Sequence, residues 1–317
     1  MHRQYYTKQM DKDKLQSTFK SQDTEEWLDI HWTRPIGLMW ANFFNYFNVH
    51  PNTITVISIF LGAAAGILMY WNDPPHAILA ILLLMWANFY DSADGQLARM
   101  TGKKTHLGRI LDGAAGDIWF VCIYTALVWR MTPQYGIWIW LIGAFSGFYC
   151  HVHQAQLADY YRNVHLFFLK GEKGSEMDSN KKAVEEYNRL SWKTDFISKF
   201  FQWFYKDYTR NQERMTPQFQ LLLKDIKGRF GNEGIPQALK DDFRKGSLPL
   251  MKWTNILQFN TRTICLYILL LISAFSGYDC AWVYFAFELT VMNLIWWHMN
   301  RSHEKLSKDI RTRLNEY

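Results

Sequence analysis

Cysteine is scarce in this chain. Its four, Cys122, Cys150, Cys265 and Cys280, form no CxxC pair. Three lie in apolar runs, so all four read as small buried hydrophobes rather than as a disulfide framework or a metal site. The first residues, MHRQYYTKQMDKDKLQ, lack the apolar core of a signal peptide. The first membrane span is then expected to act as its own insertion signal. No internal repeat or low-complexity tract is evident. Basic residues are nearly missing from three predicted turns: NDPPH and SGYDC hold no Lys or Arg, and RMTPQYG holds Arg130 alone.

What is abundant is apolar and aromatic. The 317 residues are 49% hydrophobic and include 15 Trp and 17 Tyr, residues that favour membrane–water interfaces. The mean hydropathy of −0.21 hides strong local contrast. Net charge is +6. With long apolar runs present, that balance points to a membrane surface and not to nucleic acid. A spanning helix needs about 20 mostly apolar residues. Six segments approach that length: 51–71, 75–89, 107–129, 137–156, 256–275 and 281–299. The second is short unless its helix runs on through the acids that follow. The remaining basic residues gather on the other side of these spans, which makes that side cytoplasmic and puts both termini there.

The predicted architecture is therefore an all-α polytopic membrane protein. Residues 1–50 form a cytoplasmic N-terminus and an interfacial amphipathic helix in RPIGLMWANFFNYFNVHPN. Four spans follow in 51–156, with a signature segment at 91–117. Residues 157–255 form a helical insertion that either rests on anionic headgroups or is an ordinary solvated subdomain. Two spans lie in 256–299, and 300–317 is a cytoplasmic tail.

The unusual stretch is YDSADGQLARMTGKKTHLGRILDGAAGD, residues 90–117. It places Asp91, Asp94, Asp112 and Asp117 at the ends of two apolar segments. Ionisable groups there are costly and mark function. Residues three or four apart share a helix face, so Asp91, Asp94 and Ala98 line one strip, and Gly108 and Asp112 line one strip of the next helix. Carboxylates facing one another in a low dielectric need cations or protons. Hard oxygen donors suit Mg²⁺, Mn²⁺ or Ca²⁺. Gly95 and Ala98 lack bulk beside the acids, and Arg99 suits phosphate oxygens. Together these features read as a diphosphate site.

This stretch resembles the signature of the CDP-alcohol phosphatidyltransferase family: Asp91, Asp94, Gly95, Ala98, Arg99, Gly108 and Asp112 stand at the family's spacings. The resemblance implies transfer of a phosphoryl-linked group from a CDP-alcohol to another alcohol with release of CMP. It also implies Mg²⁺ or Mn²⁺, two ions in number, a donor and an acceptor of which one is a lipid, surrounding membrane lipids and a homodimer. On that reading Asp91, Asp94, Asp112 and Asp117 hold metal, with Asp112 and Asp117 catalytic and Asp117 the general base. Gly95, Ala98, Arg99, Gly108, Asn52 and Thr55 meet the CDP moiety; helix capping is an equal role for Asn52 and Thr55. Arg109, Lys103 and Lys104 bind an acceptor phosphate or an anionic lipid; topology charge is an equal role for the two lysines.

One position departs. The family's fourth Asp falls where this chain has Gly116, and Asp117 comes one residue later. Either a π-bulge in DGAAGD returns Asp117 to the site, or the fourth acid is missing and activity is altered or lost. An inositol-type headgroup is the preferred product, with a diacylglycerol or ceramide acceptor left open. A transporter using intramembrane acids is the rival class, although these acids sit at one membrane edge and no repeat symmetry accompanies them. His151, His153 and Asp159 are expected to line the cytoplasmic mouth. Asn260 and Arg262 are acceptor contacts or interface anchors.

Overall fold

The computed structural model describes residues 21–103, 105–171, 174–175, 177–231 and 234–317. Among these the chain is helical, with no strand. It divides into two compact units. One holds residues up to 148 together with 263–285; the other holds 149–262 and 286–317.

In the first unit, α1 (Arg34–Tyr46) precedes α2 (Pro51–Leu68), α3 (Pro74–Thr101), α4 (His106–Tyr135) and α5 (Trp138–Ala144). Local chemistry sets the boundaries. Pro51 and Pro74 occupy first-turn positions, where a missing N–H costs nothing. The Asp73 carboxylate accepts from the His76 amide at 3.2 Å and caps α3. Gly102 ends α3 at φ 69°, a backbone state in which other residues are strained. The Thr105 hydroxyl then accepts from the Gly108 amide at 2.9 Å and opens α4. The second apolar segment is thus not short: α3 continues through Asp91 and Asp94 to Thr101.

Helix α2 packs along both α3 and α4, whereas α3 and α4 touch each other little. Small residues allow that approach. A Cβ on Gly62 would lie 2.2 Å from the Trp119 ring, and one on Gly66 would lie 2.8 Å from the Ile123 backbone nitrogen. Close backbone approach through glycines is a recurrent way of joining helices where lipid removes the hydrophobic drive. Gly66→Val is therefore expected to destabilise this unit by about 2–3 kcal/mol, because backbone cannot step aside as a side chain can. Thermal unfolding of the purified protein reads the loss, and an unchanged midpoint would refute the contact.

Four stretches are long and apolar enough to cross a membrane: Pro51–Leu68, Pro74–Thr101, Gly108–Tyr135, and Gln237–Ser276. The segments 137–156 and 281–299 are helical too, but each is interrupted by a π-turn, at Phe145–His151 and Glu288–Met292. Helix α1 packs on α3, with the Trp40 ring 5.1 Å from Tyr90 and 5.8 Å from Trp86. Met39 and Phe43 on α1, and Phe47 just after it, are exposed. The Arg130 guanidinium holds Asp279 at 2.8 Å in the same unit. The four cysteines are free thiols.

The second unit contains α6 (Val152–Lys170), α7 (Asn180–Arg189), α8 (Phe196–Met215), α9 (Pro217–Phe230), α10 (Gln237–Ser247) and α11 (Met251–Ile256). Helix α12 (Phe259–Ser276) follows α11, and α13 (Ala281–Phe287) leads through the second π-turn into α14 (Asn293–Thr312). Its core joins α6, α9, α10 and α14 through Tyr160, Phe168, Phe219, Phe243 and Ile310. The rings of Phe168 and Phe243 stack at 3.8 Å. The C-terminal residues are accordingly an ordered helix of this core, with Ile310 fully buried.

Candidate active site

The last turns of α3 and the first turns of α4 share an end of the first unit. Asp91, Asp94 and Asp112 meet there. Each offers a carboxylate oxygen, and the three oxygens lie within 4.8 Å of one another. Asp94 is buried and the other two are half-buried. The Thr55 side chain, from the first turns of α2, lies against the Asp94 carboxyl. Asp94 Oδ2 is buried with no hydrogen-bond partner among the described residues. Three such anions, one with an unsatisfied oxygen, repel unless a cation joins them. All-carboxylate donors fit a hard divalent ion such as Mg²⁺ or Mn²⁺.

The small residues divide into two kinds. A Cβ on Gly95 would meet only the Arg99 guanidinium, at 3.4 Å and beyond. Packing does not require glycine at that position, so its openness is available to a ligand. Gly108 differs. A Cβ there would lie 2.7 Å from Asn52 Oδ1 and 2.8 Å from the Thr105 hydroxyl, so glycine is what lets the start of α2 sit on the start of α4. Asn52 and Thr55 are thereby brought to the same end of the bundle as the acids. Capping is part of their setting as well: the Asn52 backbone N–H donates to His50 Nδ1 at 3.2 Å, and the Thr55 hydroxyl donates to the Pro51 carbonyl at 3.3 Å.

Ala98, Arg99 and Arg109 are half-buried, and Lys103 is exposed on the turn. Lys104 lies outside the described residues. Asp117 is not brought to the acids. Helix α4 is regular from His106 to Tyr135, with no π-turn between Asp112 and Asp117. The bulge expected in DGAAGD is therefore absent. A Cβ on Gly113 or Gly116 would meet no described atom within 4 Å, so no neighbour at these two positions enforces a distortion. With roughly 100° per residue, Asp117 faces another direction and is exposed.

The second set of polar candidates, all in the second unit, has a different fate. His151 does not line an opening. It is buried, and its Nδ1 accepts from the Arg262 guanidinium at 3.2 Å. The same guanidinium pairs with Glu288 and donates to Gln154 Oε1 at 2.8 Å and to the Leu257 carbonyl at 3.2 Å. Gln154 Nε2 donates to Asn293 Oδ1 at 2.8 Å. His153 donates to the Tyr149 carbonyl, and Asp159 holds Arg162 and the Tyr208 hydroxyl, each at 2.8 Å. Sequence reasoning passed over Gln154 and Glu288. The signal available was a lone acid in the apolar run AWVYFAFELTVM, and a pair of amides, Gln154 and Gln156, just after His151 and His153. It also passed over the pair Gly62 and Gly66, whose four-residue spacing in GAAAG is that of a close helix contact.

Comparison with known proteins bears on the first unit's acids and on α6. The chain is 38% identical over 87 residues to an uncharacterized protein of Aquifex aeolicus (strain VF5). The match covers 27% of this chain and 43% of that relative, so the chain spans less than half of the curated protein it resembles. No solved structure matches it. The family model for CDP-alcohol phosphatidyltransferase matches residues 48–166, a segment that contains the whole acid signature. Over those residues the chain is shown to carry the CDP-alcohol phosphatidyltransferase family's sequence.

Proposed function

We propose that the protein transfers a substituted phosphate from a CDP-alcohol to an acceptor alcohol and releases CMP, one of the two alcohols being a lipid. The observation that carries this reading is the meeting of Asp91, Asp94 and Asp112 at one point, beside the open backbone of Gly95 and the Arg99 guanidinium. Divalent ions held there, two Mg²⁺ or Mn²⁺ in this reading, supply neutralisation of the diphosphate and of the departing CMP. Asp91, Asp94 and Asp112 supply the oxygens. Gly95 and Ala98 leave room for the diphosphate, and Arg99 contributes positive charge to it. Asn52, Thr55 and Gly108 flank the nucleotide. Arg109, Lys103 and Lys104 take the phosphate of an acceptor, which favours an inositol-type headgroup. The acceptor oxygen bonds to the β-phosphorus as the bond to the bridging oxygen breaks. That oxygen leaves with CMP, and the acceptor's proton passes to a carboxylate.

The same reading counts six spans, with 137–156 and 281–299 as the fourth and sixth. It places both termini and the acids on the cytoplasmic side, lays α1 in the interface and pairs two copies of the chain. The test is purified protein with Mg²⁺, a panel of radiolabelled CDP-alcohols and a panel of acceptors, the lipid product being identified by mass. CMP release from none of the donors would overturn it.

A second reading, a catalytically altered relative, has one observation behind it: Asp117 stands apart from the acids on a regular helix. The reading preferred here gives the base's work to the converged acids, Asp112 among them. Asp117→Asn is then expected to keep turnover within about threefold of the parent. A loss of about 100-fold or more would restore Asp117 as the base and require α4 to rearrange around it.

A further inference from the structure

Helix α8, Phe196–Met215, is turned inside out. Its buried residues are polar: Gln202, Thr209 and Gln212. Each is tied to the rest of the second unit by a hydrogen bond. Gln202 Nε2 donates to the Ala183 carbonyl at 3.0 Å and Gln212 Nε2 to the Gln156 carbonyl at 2.9 Å. The Thr209 hydroxyl accepts from Asn180 Nδ2 at 3.2 Å. Its outward side is apolar. Phe196, Ile197, Phe200, Trp203 and Phe204 are 41–62% exposed, at the spacing of a single helical stripe. Trp192, just before the helix, extends that stripe.

Water is a poor neighbour for such a face, since each half-exposed large apolar side chain forgoes about half of the roughly 1.5–3 kcal/mol that full burial gives. The orientation is not an accident of weak packing, because the hydrogen bonds of the inner face fix it. The occupant can be read from the charges. No acid lies between Phe196 and Phe204, and Lys and Arg outnumber Asp and Glu by eight to five over residues 181–214. The Lys199 and Lys206 ammonium groups lie 4.5 and 4.1 Å from the Tyr187 ring centre, and Lys199 also lies 5.7 Å from that of Trp192. Lys193 and Arg210 are exposed. Phe and Trp on one face, with cations beside them, is the composition of a helix lying at the boundary between headgroups and acyl chains. The chain also carries stretches able to cross a bilayer, so it shares its surroundings with lipid.

We propose that α8 seats its Phe196–Phe204 stripe in an anionic bilayer surface. This inference is independent of the transfer reaction. The test uses the full chain, one copy per nanodisc, in phosphatidylcholine alone or with about 30% phosphatidylglycerol. A lipid carrying a diazirine at the top of its acyl chain is photolysed, and labelled peptides are mapped by mass. Residues 196–204 are expected to take up about fivefold more label than α9 in the same unit, and about threefold less when phosphatidylglycerol is omitted. Phe200→Asp with Phe204→Asp should bring the stripe down to the level of α9. Equal labelling of the stripe and α9 in the parent overturns the proposal. So does a stripe that loses its label when two copies share a nanodisc, since the partner would then be a second chain.

Discussion

Asp94→Asn is expected to have two opposite effects, and their pairing is the sharpest test of the acid cluster. CMP release should fall by about 1,000-fold or more, because one oxygen of the metal-holding set is neutralised. Stability without metal should rise. Asp94 is buried against Asp91 and Asp112, and its Oδ2 lacks a hydrogen-bond partner among the described residues. Removing its charge relieves repulsion between close carboxylates, by about 1–3 kcal/mol on the scale of such groups in proteins. In EDTA the variant should therefore unfold at a higher temperature than the parent. Adding Mg²⁺ should reverse that order, since ligand binding stabilises only the state that binds it. Thermal unfolding with and without Mg²⁺ measures both halves. A parent whose unfolding ignores Mg²⁺, beside an Asp94→Asn protein that still releases CMP, would dispose of the metal reading altogether.

The second large effect concerns stability alone. Arg262 and Glu288 are an ion pair with 1% and 0% of their side-chain surface exposed. Arginine does not give up its proton, so Glu288→Ala strands a buried positive charge. The expected cost is about 3–5 kcal/mol, enough to bring a marginal unit close to unfolding. Replacing both partners together, Arg262→Leu with Glu288→Leu, should recover most of that loss, because a buried pair contributes little over an apolar substitute. Limited proteolysis of the purified protein and its unfolding midpoint would show both results. If the single and double variants fall equally, the pair is not what holds these helices.

Much of this arrangement was legible in the residues, and the rest was not for identifiable reasons. The acids were legible because spacing on a helix decides which side chains share a face, and α3 does run through Asp91 and Asp94. Its end was legible in Gly102 followed by the capping Thr105. The short turn between α3 and α4 implies neighbouring helices, and at the acids they do meet, but they do not pack along their length. Instead α2 packs along both of them, and a turn carries no information about what else enters beside it. The π-bulge before Asp117 failed for a related reason. Glycines permit such a distortion, but only a neighbour pressing on the helix enforces it, and none approaches Gly113 or Gly116. For α8 the sequence showed that the helix was amphipathic and basic. Which face turned inward depended on carbonyls supplied by other helices to Gln202 and Gln212.

The fit of Gly62 against Trp119, and of Gly66 against the backbone of Ile123, bears on how the protein moves. Two helices meshed this tightly cannot slip lengthwise past each other without steric collision. The strut that bears Asp112 is thereby locked to the one that bears Thr55, and those two side chains keep a fixed station relative to each other.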